Sequence, residues 1–427
     1  MRLPQMRSAT LLLSSLFLFA CGGTTGDQTD AGDTDAGDQT EAAVEAGPDV
    51  DNGSPSTTYP AFKIDAPQVE SLGGNVLTTP KIVPVYFAND DTGFTPTVTS
   101  FLNKLPTSTY WGPGESEYGV GAISIATPVQ LTEDGPVTID DTAIQTWLSG
   151  KLAAQDPLWP APDANTVYVL FYPSATTKIT LQGEASCSAF GGYHSDVILP
   201  DKITDVAYAV IPRCSNFGGL KGLDAVSATA SHEIVEAATD PYPMNQAAYS
   251  QLDDNHLIWE FILGGAEIGD MCAQTPSSFY APADIGTTVQ RVWSNAKAKA
   301  GHNPCQPDDG APYFNSVPLL PEKVNILGQL TTEGVTIPVG QTKTIEVDLF
   351  SDAATSGDWT VSAIDSGTLQ GQAAELGFEW DRTTGRNGEK LHLTITVKKA
   401  SQYNAEAFLL QSSLGAQTNF WIGVVAN

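Results

Sequence analysis

The stretch Ser231-His232-Glu233-Ile234-Val235-Glu236-Ala237-Ala238-Thr239-Asp240-Pro241 embeds ionisable groups in a run of small and apolar residues and stops at a proline. The pattern predicts one helix, starting near Asp224, whose carboxylate can cap the first turn, and ending before Pro241. Val226, Ala230, Ile234 and Ala237 mark a packed face. His232 and Glu236 lie one turn apart on another face, beside Ala225 and Ala228, whose small side chains leave room for a cleft. Asp240 reads as a turn former.

The segments before this helix supply a sheet for it to pack on. Residues 81–88 read as a strand, with Pro84 hinting at a sheet edge. Thr95-Pro96 opens a helix carrying Val98, Phe101, Leu102 and Leu105. Residues 122–131 read as a strand, and residues 138–154 as a helix with Ile144, Trp147 and Leu148 at helical spacing. Residues 167–172 and 206–211 are continuously apolar, as strands covered on both faces are. The order implies an α/β (α+β) domain over residues 61–306, with a mixed sheet and the 231–241 helix on one face.

The N-terminus carries an export signal. Arg2 and Arg7 precede an apolar run at residues 11–20 that is too short to span a bilayer. The run ends in Leu18-Phe19-Ala20-Cys21, which resembles the lipobox of bacterial lipoproteins. The resemblance implies removal of residues 1–20 and acylation of Cys21, with Gly22 next to it favouring the outer membrane or cell surface. An ordinary secretory signal is the alternative. Residues 21–60 are rich in Asp and Glu and hold no Lys or Arg, the composition of a disordered, self-repelling stalk. The whole chain has a formal charge of -29, which argues against nucleic acid or an anionic membrane surface as partner.

With Cys21 acylated, Cys187, Cys214, Cys272 and Cys305 remain. An even number in an exported chain reads as two disulfides, and proximity favours Cys187 with Cys214 and Cys272 with Cys305. Thiolate ligation of a metal is the rival reading, although no CxxC pair occurs.

His232 and Glu236 at i, i+4 are candidate zinc ligands, and Glu233 is the candidate general base. A carboxylate in place of a second histidine lowers the charge of such a site and leaves its water less acidic. A third ligand is sought in Glu267-Ile268-Gly269-Asp270-Met271-Cys272. Either Glu267 or Asp270 could ligate while the other orients His232. His194, within Gly191-Gly192-Tyr193-His194-Ser195, is a further candidate, whereas His256 and His302 read as surface residues. Against the metal stands a plainer reading, in which the His-Glu pair is a polar core contact or a salt-bridged helix end.

Four segments occur in a telling order: the strand at 81–87, Ser186-Cys187-Ser188-Ala189-Phe190-Gly191-Gly192-Tyr193-His194-Ser195, the helix at 231–241, and residues 267–272. Together, over about residues 78–306, they resemble the plant EXORDIUM, or phosphate-induced, proteins and their bacterial relatives. That resemblance implies secretion and this constellation of site residues, without implying a reaction. The layout is also similar to zincin-type metallopeptidases, where a mixed sheet precedes the active-site helix. The second histidine and the Gly-His extension of the metzincins are absent.

Residues 307–317 read as a linker and residues 318–427 as all-β. Ile345, Val347 and Leu349 alternate with Thr344, Glu346 and Asp348, and Leu391, Leu393, Ile395 and Val397 alternate with His392, Thr394, Thr396 and Lys398. Seven or eight short strands suit an immunoglobulin-like sandwich. His392 falls on the solvent face of its strand. Trp359, Trp380 and Trp421 read as core residues, with a carbohydrate platform as the alternative. The sequence thus describes a surface-tethered lipoprotein that binds zinc and hydrolyses peptide bonds. Its partner would be an extracellular protein, a peptide or a cell-wall polymer. The competing description is a non-catalytic surface or matrix-binding protein in which the His-Glu-x-x-Glu site is structural.

Overall fold

Strands that are apolar at every position must be covered on both faces, and the first domain is built on that requirement. The computed structural model describes residues 51–427 except Gln329 and Gln402. The signal segment, Cys21 and most of the stalk lie outside the described residues. Strands β1 (Lys81–Tyr86), β2 (Thr166–Phe171), β3 (Tyr193–Ile198) and β4 (Asp205–Ile211) form a mixed sheet in the order β1-β2-β4-β3. β1, β2 and β4 run parallel, while β3 is the antiparallel edge. The strand expected at 122–131 is instead two short pairings to β1, Ser124–Ile125 and Val129–Gln130, separated around Pro128. Pro84 lies in an interior strand, not at an edge: it is paired to Val169 of β2 and falls between those two short pairings on its other side.

Side-chain alternation divides the sheet between two helical layers. Val167, Val169, Ala207 and Ala209 face helices α1 (Phe94–Lys104) and α3 (Gly222–Thr239). Tyr168, Leu170, Tyr208 and Val210 face the opposite layer, covered by Ile144, Leu148 and Leu152 of helix α2 (Asp141–Ala153). Asp140 caps α2, accepting from the Ala143 N–H at 2.9 Å. α3 is buried on almost every side, so Glu233 and Glu236 are carried into the interior with it. Asp224 lies inside its first turn and does not cap it; its carboxylate accepts from the Thr288 N–H and hydroxyl at 3.0 and 2.9 Å.

Two short helices follow, α4 (Leu257–Leu263) and α5 (Asp270–Ala273). Disulfides join Cys187 to Cys214 and Cys272 to Cys305. All four thiols are thereby consumed, which removes thiolate metal ligation. The first bond ties the loop before β3 to the chain leaving β4. The second ties α5 to the short strand Cys305–Gln306.

The C-terminal module is a two-sheet β-sandwich of ten strands among the described residues: β5 (Phe314–Pro318), β6 (Glu322–Ile326), β7 (Leu330–Thr336), β8 (Thr342–Ser351), β9 (Trp359–Asp365), β10 (Leu376–Trp380), β11 (Thr384–Gly385), β12 (Lys390–Val397), β13 (Ala405–Leu414) and β14 (Gln417–Ala426). One sheet has the order β5-β8-β12-β10 and the other β6-β7-β14-β13-β9-β11. The inward positions Ile345, Val347, Leu349, Leu391, Leu393 and Ile395 are buried, as the alternation requires. Trp359 is fully buried, with its indole N–H donating to Ser316 Oγ at 3.2 Å. Trp421 packs edge-on against Trp259 of α4 at 5.4 Å, joining the two modules, and Trp380 is partly buried against the same core. These tryptophans are core, not a platform.

Two boundaries and two histidines differ from the sequence reading. β5 begins at Phe314, inside the expected linker, because Tyr313 and Phe314 are buried. Residues 51–60, placed with the stalk, run along the sandwich: Asn387 donates to the Ser56 and Thr58 carbonyls, and Lys390 N–H donates to Asn52 O. A polar segment is held there through its backbone, which composition does not reveal. His256 is buried, with Nδ1 2.8 Å from Asp253 and Nε2 3.1 Å from the Asp65 carbonyl. His392 is largely covered and paired to Asp381 at 2.9 Å. No helix of the described residues is long and apolar enough to cross a membrane.

The fold contains one isolated buried carboxyl with a measurable signature. Glu115 is 1 % exposed, its carboxylate accepts from the Gly112 N–H, and burial pushes its pKa from 4.5 up to about 7. Because the folded value is the higher one, this contribution to stability is fully present below pH 4.5 and is lost as pH rises through 7. Glu115→Gln is expected to gain about 3 kcal/mol relative to the parent between acid and mildly alkaline pH. Urea unfolding at the two pH values measures this, and parallel stability profiles would refute it.

Candidate metal centre

His194 owes its position to register. It pairs with Ala209 across β3 and β4, and Ala209 faces α3, so the imidazole projects toward the helix. Gly192, two residues earlier, admits the helix closely: a methyl there would meet the Thr229 side chain and lie 3.1 Å from Glu233 Cγ. From α3 come His232, Glu233 and Glu236. From the turn into α5 come Glu267 and Asp270, held by the Cys272–Cys305 bond and by Trp293 N–H donating to the Ile268 carbonyl at 2.8 Å.

These six side chains converge. His232 Nε2 lies 3.0 Å from Glu236 Oε2 and 3.8 Å from Asp270 Oδ1. His194 Nδ1 lies 3.6 Å from Glu233 Oε2 and 3.7 Å from Glu236 Oε2, and its Nε2 lies 3.4 Å from Glu267 Oε1. Of the two downstream carboxylates, Asp270 therefore approaches His232, while Glu267 turns to His194. The Asp270 backbone N–H donates to Glu236 Oε1 at 3.1 Å, which leaves Oε2 facing the histidines.

One residue was invisible in the sequence. Gln290, in the short strand Val289–Gln290, donates through Nε2 to the Gly269 carbonyl at 2.7 Å. That bond orients its amide so that Oε1, 3.2 Å from His232 Nδ1, accepts the imidazole proton. Nε2 is the nitrogen left facing Glu236 and Asp270, and a neutral His232 would carry its lone pair there, as a metal ligand requires. A glutamine has no periodicity or motif around it here, so only the tertiary structure assigns this role.

The electrostatics follow from burying four carboxyls with two imidazoles. Burial opposes charging of His194, but Glu267, Glu233 and Glu236 outweigh it and hold its pKa well above the usual histidine range. His232 is raised in the same way by Glu236, Glu233 and Asp270 against its own burial. Burial, then the neighbouring Glu236 charge, pushes Asp270 up to about 8. Burial raises Glu233 as well, and it raises Glu267 further, with the charges of Glu236 and Asp240 adding to the effect. Glu236 alone is lowered: burial would raise it, and the two imidazoles prevail. Asp240, beyond the helix end, is fully buried and accepts from the Ala248 N–H at 2.6 Å.

Two triads of donor atoms each lie within 4.8 Å of one another: His232, Glu236 and Asp270, and His194, Glu236 and Glu267. Donors held about 2.1 Å from a tetrahedral zinc stand about 3.4 Å apart. The spacings of 3.0, 3.4 and 3.8 Å scatter about that edge. The set of imidazole nitrogens and carboxylate oxygens suits a divalent cation of the zinc type.

No family model and no curated protein matches the chain. Domains 4 and 5 of the S-layer protein SbsC are 14% identical over 26% of this chain and 54% of that chain, with a TM-score of 0.17. The titin M3 domain is 9% identical over 27% of this chain and 94% of that one, and a chimeric titin Z1Z2 is 16% identical over 27% and 92%, both at a TM-score of 0.17. Likenesses this slight carry no argument about what the chain does.

Proposed function

We propose that the α/β domain is a zinc-dependent hydrolase of peptide bonds, carried at the cell surface on a Cys21 lipid anchor with the β-sandwich as its accessory module. The observation that supports this reading is His232, held at Nδ1 by Gln290 and facing Glu236 and Asp270 through Nε2 at 3.0 and 3.8 Å, with Glu233 beside it on the same helix. His232, Glu236 and Asp270 would hold the ion. A bound zinc supplies Lewis acidity, polarising a carbonyl and making water a better nucleophile at neutral pH. Glu233 takes up the proton of the attacking water and returns it to the leaving amine. Its raised pKa brings it nearer the working pH than an ordinary carboxylate. Gln290 keeps His232 oriented throughout, and the Asp270 N–H fixes the Glu236 carboxylate. The order of sheet, helix and downstream carboxylate resembles the zincin layout, and the same residues carry the EXORDIUM resemblance.

A second reading, a non-catalytic surface or matrix-binding protein in which the His-Glu-x-x-Glu site is structural, is favoured by one observation. The cluster is nearly closed: the His232 and Glu267 side chains are 14% exposed, and Asp270, at 25%, is the most open. Metal analysis of the purified protein, with and without His232→Ala, separates the readings. Stoichiometric zinc that falls in the variant is expected; zinc-free protein, or equal metal in both, sinks the hydrolase and leaves the structural reading. Glu233→Gln then separates catalyst from structural site. It should keep its metal and lose cleavage of a peptide library by roughly 10²- to 10⁴-fold, the usual contribution of a general base.

A further inference from the structure

We infer that the cluster holds two divalent cations that share Glu236, with His232 and Asp270 on one and His194 and Glu267 on the other. This deepens the metal reading above and rests on it. The first ground is the division of the donors. Asp270 and Glu267 are three residues apart, yet they turn to different histidines, at 3.8 and 3.4 Å. Only Glu236 belongs to both triads. Its Oε1 is occupied by the Asp270 N–H, while Oε2 stands 3.0 Å from His232 Nε2 and 3.7 Å from His194 Nδ1. An ion takes one nitrogen of His194, and donor atoms of His194, Glu236 and Glu267 lie within 4.8 Å of one another, so Glu236 is placed to be shared by both sets.

The second ground is His194 itself. Its side chain is 5% exposed, and Nε2 is buried without a hydrogen-bond partner while directed at Glu267. A buried imidazole nitrogen left in this state is costly unless it has a ligand. One ion on His232, Glu236 and Asp270 would not satisfy it. The third ground is charge. Glu233, Glu236, Glu267 and Asp270 carry four negative charges when ionised, and their only ion-pair partners among the described residues are the two histidines. One divalent ion with neutral imidazoles leaves a net charge of two minus; two ions balance it. Paired ions about 3.5–4 Å apart, bridged by carboxylate, are an established arrangement for hydrolytic sites, and mixed imidazole and carboxylate donors select zinc, manganese or cobalt(II) over softer ions.

The test is a titration of the demetallated full-length protein with zinc, repeated with cobalt(II) to follow the visible absorption of each site. Two equivalents are expected in the wild type, with one lost in His194→Ala and one in His232→Ala, and cobalt(II) pairs showing magnetic coupling through Glu236. His194→Gln serves if the alanine variant does not fold, and the wild-type count stands without either. One equivalent in the wild type overturns the second site and leaves the single-metal reading intact. No binding overturns both. A second equivalent that survives replacement of His194, or that shows no coupling, is adventitious binding to an acidic surface and overturns the inference.

Discussion

Removing the proposed cation with a chelator is expected to lower the thermal midpoint of the α/β domain by roughly 10 °C, and by more at pH 8 than at pH 5. The magnitude follows from linkage: an ion present at a thousand times its dissociation constant stabilises the folded state by about 4 kcal/mol. In a domain of this size each kcal/mol moves the midpoint by about 2–4 °C. The pH dependence follows from the direction of the shifts. His194, His232, Glu233, Glu267 and Asp270 all have folded values above their unfolded ones. Each contributes stability that is fully present below its unfolded pKa and is lost as pH rises through the folded value. For Asp270 that window runs from 3.8 to about 8. Glu236, whose value is lowered, works in the opposite sense and is one group against five. Protons thus stand in for the cation at acid pH, and nothing does so at alkaline pH. Calorimetric scans with zinc and with chelator at both pH values measure the difference; coincident midpoints would show that the cluster needs no cation.

What was legible in the sequence was whatever repeats along it. The strands at 166–171 and 205–211 read correctly because burial on both faces removes polar residues altogether. The sandwich strands read correctly because burial on one face imposes a period of two. The i, i+4 pair of His232 and Glu236 is a helical period and shows for the same reason. His194 was harder to place, since its direction depends on pairing with Ala209 across the sheet edge, a register not written locally. The choice between Glu267 and Asp270 was undetermined because a turn around Gly269, stapled by Cys272–Cys305, sets their directions. Gln290 gave no signal at all. Boundaries failed where backbone groups, and not side chains, make the contacts, as in residues 51–60.

Gly269→Ala is expected to damage the site more than its size suggests, and the reason is contact, not backbone strain. Gly269 has φ -73 and ψ -47, a conformation every residue adopts. An added methyl, however, would lie 2.6 Å from Glu236 Oε1, 2.7 Å from His232 Nδ1 and 2.9 Å from His232 Cε1. It would wedge apart the imidazole, the Gln290 amide that orients it and the carboxylate oxygen bonded by Asp270 N–H. Gln290 and Glu236 are buried and the imidazole is largely covered, so relief requires moving a helix or the disulfide-tied turn. Overpacking of this kind costs about 1–3 kcal/mol, and disturbing the groups that orient metal ligands weakens binding by about 10- to 100-fold. Gly150→Ala is the matched control. That glycine is exposed within α2, with open space where the methyl would go, and alanine there should stabilise the helix by roughly 0.5–1 kcal/mol. The same substitution should therefore carry opposite signs at the two positions, read by denaturant unfolding and zinc titration. A Gly269→Ala protein as stable and as tight-binding as its parent would mean that His232, Gln290 and Glu236 do not form one packed unit.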